Sequence, residues 1–168
     1  DLHSFPTRRF PISTTSFTLT AASTTSSDNL PVIVVDIHVS DLNEIKRLSD
    51  LAISSGTVFL SITAGSITDM AAIPNPVVAI AASSAQAVQS YTADATAPML
   101  TAFDLDMTAE TTTLVFSETV RASTFAATGI TLQASASSAT TSHTLSSNSV
   151  TASADGTILV APLTISDH

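Results

Sequence analysis

Residues 33–41 read IVVDIHVSD, and residues 159–167 read LVAPLTISD. The two stretches lie 126 positions apart, and both end in Ser-Asp. In each of them alternate residues are apolar, so these side chains fall on one face of an extended strand. A strand that recurs at a fixed spacing indicates a repeated β unit.

A second pair of similar segments lies at a different spacing. Residues 17–21 (FTLTA) are similar to residues 130–134 (ITLQA), 113 positions later. The difference between the two spacings predicts an insertion of 13 residues in the second copy, around Ala139 to Val150.

The residues between these paired segments occur only once, which predicts two incomplete repeats in the chain. Residues 10–95 are interpreted as the C-terminal part of one repeat, and residues 96–168 as the N-terminal part of the next. Residues 1–9 (DLHSFPTRR) resemble the translation of a common sequencing adapter. They are therefore either a sequence artefact or a short basic arm.

Strand patterns predominate in both parts. The predicted strands are residues 17–21, 32–39, 57–63, 77–82 and 87–91 in the first part, and 100–105, 111–116, 130–135 and 157–165 in the second. Residues 143–147 are predicted to form a hairpin with residues 149–152. One helix is predicted to begin at Asp41, where Glu44 completes a capping box, and to end before Gly56. This pattern is typical of an all-β sandwich with one short helix in a crossover.

Three segments, the first of which spans the junction of the two parts, resemble the opening of bacterial-type, cadherin-like Ig-like repeats. They are Asp94–Pro98 (DATAP), Phe103–Leu105 (FDL) and Leu114–Val120 (LVFSETV). The family often begins D-x-T-A-P and carries T-F-S-E-x-V on its second strand. Thr57–Leu60 followed by Ile67–Ala71 is similar to the end of the same domain, although residues 72–75 (AIPN) replace its usual Gly-Asn turn.

The resemblance implies tandem β-sandwich repeats like those of large extracellular surface or fibre proteins, including proteins of algae and other protists. It further implies strands that are exchanged or shared between successive units. Domains of this kind serve as spacers, adhesins or fibre units, and fold analogy by itself does not establish which.

The composition argues against several classes of partner and site. The chain carries 14 acidic and 5 basic residues, for a formal net charge of −9, which is the wrong sign for a nucleic-acid-binding surface. The lack of Cys excludes disulfides and thiolate sites within these residues. The most apolar stretch, residues 76–88, is too short to span a bilayer. Few charges and abundant Ser and Thr favour an extracellular or cell-surface location.

Sequence patterns for catalysis are weak, which favours a protein that is not an enzyme. The chain has four Gly and no Gly-rich phosphate loop. Gly65-Ser66 lacks the second Gly of a nucleophile elbow. The four His residues are too scattered in sequence to suggest a catalytic or metal-binding pair.

Carboxylates near predicted turns and domain ends are candidate calcium ligands, because calcium prefers several oxygen ligands. The candidates are Asp69, Asp94, Asp104, Asp106 and Glu118. The alternative is that these carboxylates are ordinary surface charges. No other cofactor is predicted. O-linked glycans are a further hypothesis, either on Ser and Thr at residues 13–16, 23–27 and 135–147 or on hydroxylated Pro74, Pro76 and Pro98.

The chain thus carries the C-terminal part of one repeat followed by the N-terminal part of the next. The N-terminal part in one unit can be completed by the C-terminal part in a neighbouring unit. The main functional hypothesis is therefore a structural subunit of an extracellular fibre. Its Ig-like domains would assemble head-to-tail with copies of the chain, either by strand complementation or by covalent tandem repetition. The alternative is a cell-surface adhesin stalk, in which the repeats present a binding head.

Overall fold

The computed structural model describes residues 15–146, 149–164 and 167. The predicted arm or artefact at residues 1–9, and Ser13 and Thr14 of a candidate glycan cluster, lie outside this part. The described chain forms two compact units. We call Leu48–Tyr91 with residues 15–18 the hairpin unit, and Leu19–Arg47 with the described residues from Thr92 onward the sheet unit.

The hairpin unit is an irregular antiparallel ladder. Strand β1 (Phe59–Leu60) pairs with β2 (Gln86–Ala87), and isolated bridges join Ile62 to Ile80 and Thr68 to Pro76. Short 3-10 turns at Ser55–Thr57 and Ala64–Ser66 flank the predicted strand over residues 57–63, in which regular pairing covers only Phe59–Leu60.

The sheet unit contains a three-stranded antiparallel sheet. Strands β3 (Leu100–Asp106), β4 (Thr111–Val120) and β7 (Gly156–Pro162) lie in the order β3–β4–β7. The Asp106 carboxylate accepts hydrogen bonds from the N–H groups of Thr108 and Ala109, both at 2.8 Å, and so closes the β3–β4 turn. The predicted strands over residues 100–105 and 111–116 are confirmed, and the one over residues 157–165 is confirmed as far as Pro162.

A second, two-stranded sheet pairs β5 (Thr131–Gln133) with β6 (Ser142–Thr144). The predicted hairpin between residues 143–147 and 149–152 is therefore wrong over its described residues. The hydroxyls of Thr131 and Thr144 lie 2.8 Å apart across the β5–β6 pair. Polar cross-strand pairs of this kind favour one register, which hydrophobic alternation alone does not identify.

The core of the sheet unit lies between β4, β7 and the segment around β5 and β6. Leu114 on β4 lies opposite Leu159 on β7, and both are buried. Leu145 and Leu163 are also buried and pack with Ala127. Partly buried apolar side chains complete this cluster: Phe125, Ile130 and Leu132. Every residue of β3 is exposed, so β3 is an open edge of the sheet.

Helix α1 (Val39–Arg47) is the single α-helix among the described residues. It begins before Asp41 and ends well before Gly56, so the predicted bounds are wrong. Asp41 lies inside the helix, and Glu44 pairs with Arg47 instead of completing a capping box. The described residues are β-rich with one short helix, as predicted. No helix in this part of the chain is long and apolar enough to cross a membrane.

Candidate functional site

Asp41 organises the N-terminal end of the sheet unit. Its carboxylate accepts hydrogen bonds from the Thr20 N–H at 2.8 Å, the Thr20 hydroxyl at 2.9 Å and the Ser23 hydroxyl at 2.6 Å. Asp41 is buried. We call Thr20, Ser23 and Asp41 the first aspartate cluster, and it ties the start of helix α1 to a segment about twenty residues earlier.

Asp167 organises a second group of the same kind. Its carboxylate accepts from the Ser146 N–H at 2.7 Å and from the Ser149 hydroxyl at 2.9 Å. It also accepts from the Thr164 N–H at 2.8 Å and the Thr164 hydroxyl at 2.7 Å. We call Ser146, Ser149, Thr164 and Asp167 the second aspartate cluster.

Between Ser23 and Asp41, the chain is held by side-chain to backbone bonds. The Thr25 hydroxyl donates to the Val34 carbonyl at 2.6 Å, and the Val34 N–H donates to the Ser27 hydroxyl at 2.8 Å. The Ser27 N–H donates to the Thr25 hydroxyl at 3.1 Å, which forms a local turn. These bonds connect an irregular segment to the strand-like residues 33–37 without a regular ladder.

The same bonds recur at a spacing of 126 residues. The Thr151 hydroxyl donates to the Val160 carbonyl at 2.7 Å, the Val160 N–H donates to the Ser153 hydroxyl at 2.9 Å, and the Ser153 N–H donates to the Thr151 hydroxyl at 3.0 Å. Ser23 and Asp41 likewise correspond to Ser149 and Asp167. A single register therefore relates the two hydrogen-bonded segments.

This register extends through the sequence without a gap. From residues 15–41, which we call copy one, to residues 141–167, which we call copy two, ten of 27 positions are identical. In copy one they are Thr15, Ser16, Thr18, Leu19, Ser23, Thr25, Ser27, Val34, Ser40 and Asp41. The register of 113 positions at residues 17–21 and the inferred insertion near Ala139 are therefore wrong. The repeat is one continuous block.

Both aspartates carry a lowered pKa. The Ser23 hydroxyl and the groups of Thr20 hold the pKa of Asp41 below its ordinary value of 3.8. The N–H and hydroxyl of Thr164, together with Ser146 and Ser149, hold the pKa of Asp167 far below that value. Each cluster therefore favours the ionised carboxylate.

We expect the sheet unit to lose stability in acid as these clusters protonate. Both folded-state pKa values are lowered, so the stabilisation is complete above the ordinary value of 3.8 and is lost as the pH falls below it. Asp167→Asn should reduce this acid-dependent loss more than Asp41→Asn, because Asp167 accepts bonds from more groups. Urea unfolding at pH 7 and pH 3, followed by hydrogen exchange within the sheet unit, measures the effect.

The control is Asp28→Asn, which changes an exposed carboxyl group of the same unit. It touches neither aspartate cluster, so the acid-dependent loss due to Asp41 and Asp167 should persist. An acid-dependent loss that is the same in Asp167→Asn as in the unmodified chain would show that the second cluster does not cause it.

Lys46 joins helix α1 to strand β4. Its ammonium group contacts the buried Glu118 carboxylate through Oε2 and lies 2.9 Å from Asp94 Oδ2. These contacts, Glu118 first, raise the pKa of Lys46, and Lys46 in turn lowers the pKa of Asp94. Glu118 Oε1 is buried without a hydrogen-bond partner among the described residues. We call Lys46, Asp94 and Glu118 the lysine cluster.

A second contact fixes the same face of helix α1. The Thr119 N–H donates to Asn43 Oδ1 at 3.1 Å, and the Thr119 hydroxyl donates to the Asn43 carbonyl at 2.8 Å. Asn43 and Lys46 are three residues apart and therefore share one helix face. An open groove beside this face is lined by Asn43, Arg47 and Thr119, among others.

The structure brings two of the five candidate calcium ligands together. Asp94 and Glu118 meet at Lys46, whose single ammonium group contacts both carboxylates. The other three lie elsewhere: Asp69 closes a turn of the hairpin unit through Asn75, Asp106 closes the β3–β4 turn, and Asp104 lies on β3. Among the described residues, no group of three or more acidic or His side chains is placed to hold a metal ion. Calcium binding remains a prediction.

The candidate glycan segment at residues 23–27 uses most of its hydroxyls internally. Those of Ser23, Thr25 and Ser27 are bonded to Asp41 or to the Val34 carbonyl. Sequence reasoning missed this role and also missed Lys46 and Asn43. The signal for the first was present, since Ser, Thr and Ser recur at residues 149, 151 and 153.

No protein-family model, no curated protein and no solved structure matches the chain.

Proposed function

We propose that the protein is a structural subunit of an extracellular fibre. In this proposal its Ig-like β-sandwich repeats are linked head-to-tail, by strand complementation or by covalent tandem repetition, and other copies of the chain are its partners. The proposal assigns no catalytic role to any residue.

The observation that carries the proposal is the matched hydrogen bonding of copies one and two. Asp41 with Ser23, and Asp167 with Ser149, occupy equivalent positions 126 residues apart. Recurrence of a buried, hydrogen-bonded motif in one register supports a serial array, in which each unit contacts its neighbours along one axis.

Helix α1 supports a head-to-tail order. It begins at the end of copy one, yet its Asn43 and Lys46 bind β4, which precedes copy two. In a serial array, the helix that leaves one repeat would therefore attach to the sheet of the next. Contacts of one kind that do not close on themselves generate a filament.

Electron microscopy of the purified full chain tests the proposal. We expect filaments of constant width that lengthen with protein concentration, because a head-to-tail contact adds units at the ends. Lys46→Met should shorten them or abolish them, while Arg47→Met, which alters the neighbouring exposed ion pair with Glu44, should not. Monodisperse globular particles at every concentration would argue strongly against a fibre, and rods of one fixed length would indicate the stalk.

A further inference from the structure

Copies one and two differ sharply in how well their apolar face is covered. Four side chains of copy two are at most 6% exposed, and the four equivalent side chains of copy one are at least 40% exposed. The pairs, copy two first, are Leu145 and Leu19, Leu159 and Ile33, Ala161 and Val35, and Leu163 and Ile37.

In copy two, β4 pairs along the edge of this strand, and residues 125–132 pack against the apolar cluster. Thr112 and Leu114 of β4 lie opposite Ala161 and Leu159. Phe125, Ile130 and Leu132 pack against the cluster that contains Leu145 and Leu163. The cover is therefore a strand with buried alternate residues, followed by an apolar segment.

Along the matching edge, the backbone of copy one has no partner among the residues that the structure describes. In copy two the ladder with β4 continues at Leu163, whose N–H donates to the Glu110 carbonyl at 2.7 Å. The N–H groups of Ile33, Val35 and Ile37 donate no hydrogen bond to any described residue. The opposite edge of copy one is already bonded, since Asp36 pairs with Thr24. Within the described part of the chain, an unpaired strand edge and an exposed apolar face thus coincide.

We propose that Leu19 and residues 33–37 form a docking surface for the β3–β4 hairpin and following apolar segment of a preceding repeat. The occupant has the sequence pattern of residues 98–140, because that segment covers the equivalent surface of copy two. In a second copy of the chain this hairpin is already paired with β7, so donating it would uncover an equal surface. The inference rests on the serial arrangement proposed above and names the segment that joins its units.

The test extends the full chain by placing a second copy of residues 98–140 directly before Thr15, in place of residues 1–14. Thr15 then follows this insert as Thr141 follows Thr140. We expect hydrogen exchange at Ile33, Val35 and Ile37 to slow by at least about tenfold, because these amides acquire partners in a buried ladder. The matched control carries Leu114→Asp within the inserted segment alone, and should show no slowing.

Each outcome decides the proposal separately from fibre formation. Equal exchange in the extended and unextended chains, with the insert folded by circular dichroism, overturns the docking surface. Slow exchange in the unextended chain that depends on concentration and accompanies a dimer in light scattering assigns the surface to a second copy, and also overturns it. Filaments in the microscope without slowed exchange would support the fibre and overturn the docking surface. Slowed exchange without filaments would support the docking surface and contradict the fibre.

Discussion

Leu145→Ala should lower the free energy of unfolding of the sheet unit by about 2–5 kcal/mol, the range for truncating a fully buried leucine. Leu145 is 1% exposed and packs with Ala127 and Leu163, so its loss leaves a cavity in the core. The equivalent Leu19→Ala should cost less than about 1 kcal/mol, because Leu19 is 42% exposed. Because the two leucines occupy equivalent positions in the repeat, the difference between the two losses of stability measures the effect of burial.

The measurement needs a probe confined to the sheet unit, since the chain has no Trp and its one Tyr, Tyr91, lies in the hairpin unit. Hydrogen exchange of β4 and β7 amides in increasing urea reports that unit directly. Similar losses for Leu145→Ala and Leu19→Ala would mean that copy one is as well packed as copy two, contrary to the structure.

Lys46→Met should cost about 3 kcal/mol, near the lower end of values for breaking a buried ion pair. The substitution leaves the buried Glu118 carboxylate without its cation, and Glu118 Oε1 already has no hydrogen-bond partner among the described residues. The penalty comes mainly from the unpaired carboxylate. Lys46→Met with Glu118→Gln should therefore recover more than half of the loss.

Arg47→Met is the matched control for this prediction. Arg47 is the next residue of helix α1, and its ion pair with Glu44 is exposed, so its loss should change stability little. Urea unfolding of the four chains, the unmodified one included, measures the loss of stability and its recovery. If the double variant is no more stable than Lys46→Met, the cost lies in lost packing of the lysine side chain.

The regular strands of the sheet unit could be predicted because their signal is local. In β4, Thr112, Leu114 and Glu118 are buried at alternate positions, and the Thr- and Val-rich sequence suits a strand. The copy-one strand over residues 32–39 was predicted on an equally strong alternation, yet it forms only the bridge at Asp36. Alternation identifies a face suited to burial, but a ladder also requires a partner strand.

The polar contacts could be predicted less well because they join distant residues. Asp41 has the local features of a helix cap, but its carboxylate binds Thr20 and Ser23 instead. Lys46 and Glu118 are 72 positions apart, and neither residue lies in a pattern that indicates the other. The Ser and Thr residues of the repeat recur in the sequence, but polar residues do not contribute to the hydrophobic periodicity from which strands and helices are predicted.

The order of β4 and β7 along the chain has a consequence for synthesis. Strand β4 ends at Val120 and β7 begins at Gly156. Ribosomes add about 5–20 residues per second, so the closing strand emerges within roughly ten seconds of the strand it covers. The edge of β4 that pairs with β7 is thus unpaired only briefly during synthesis.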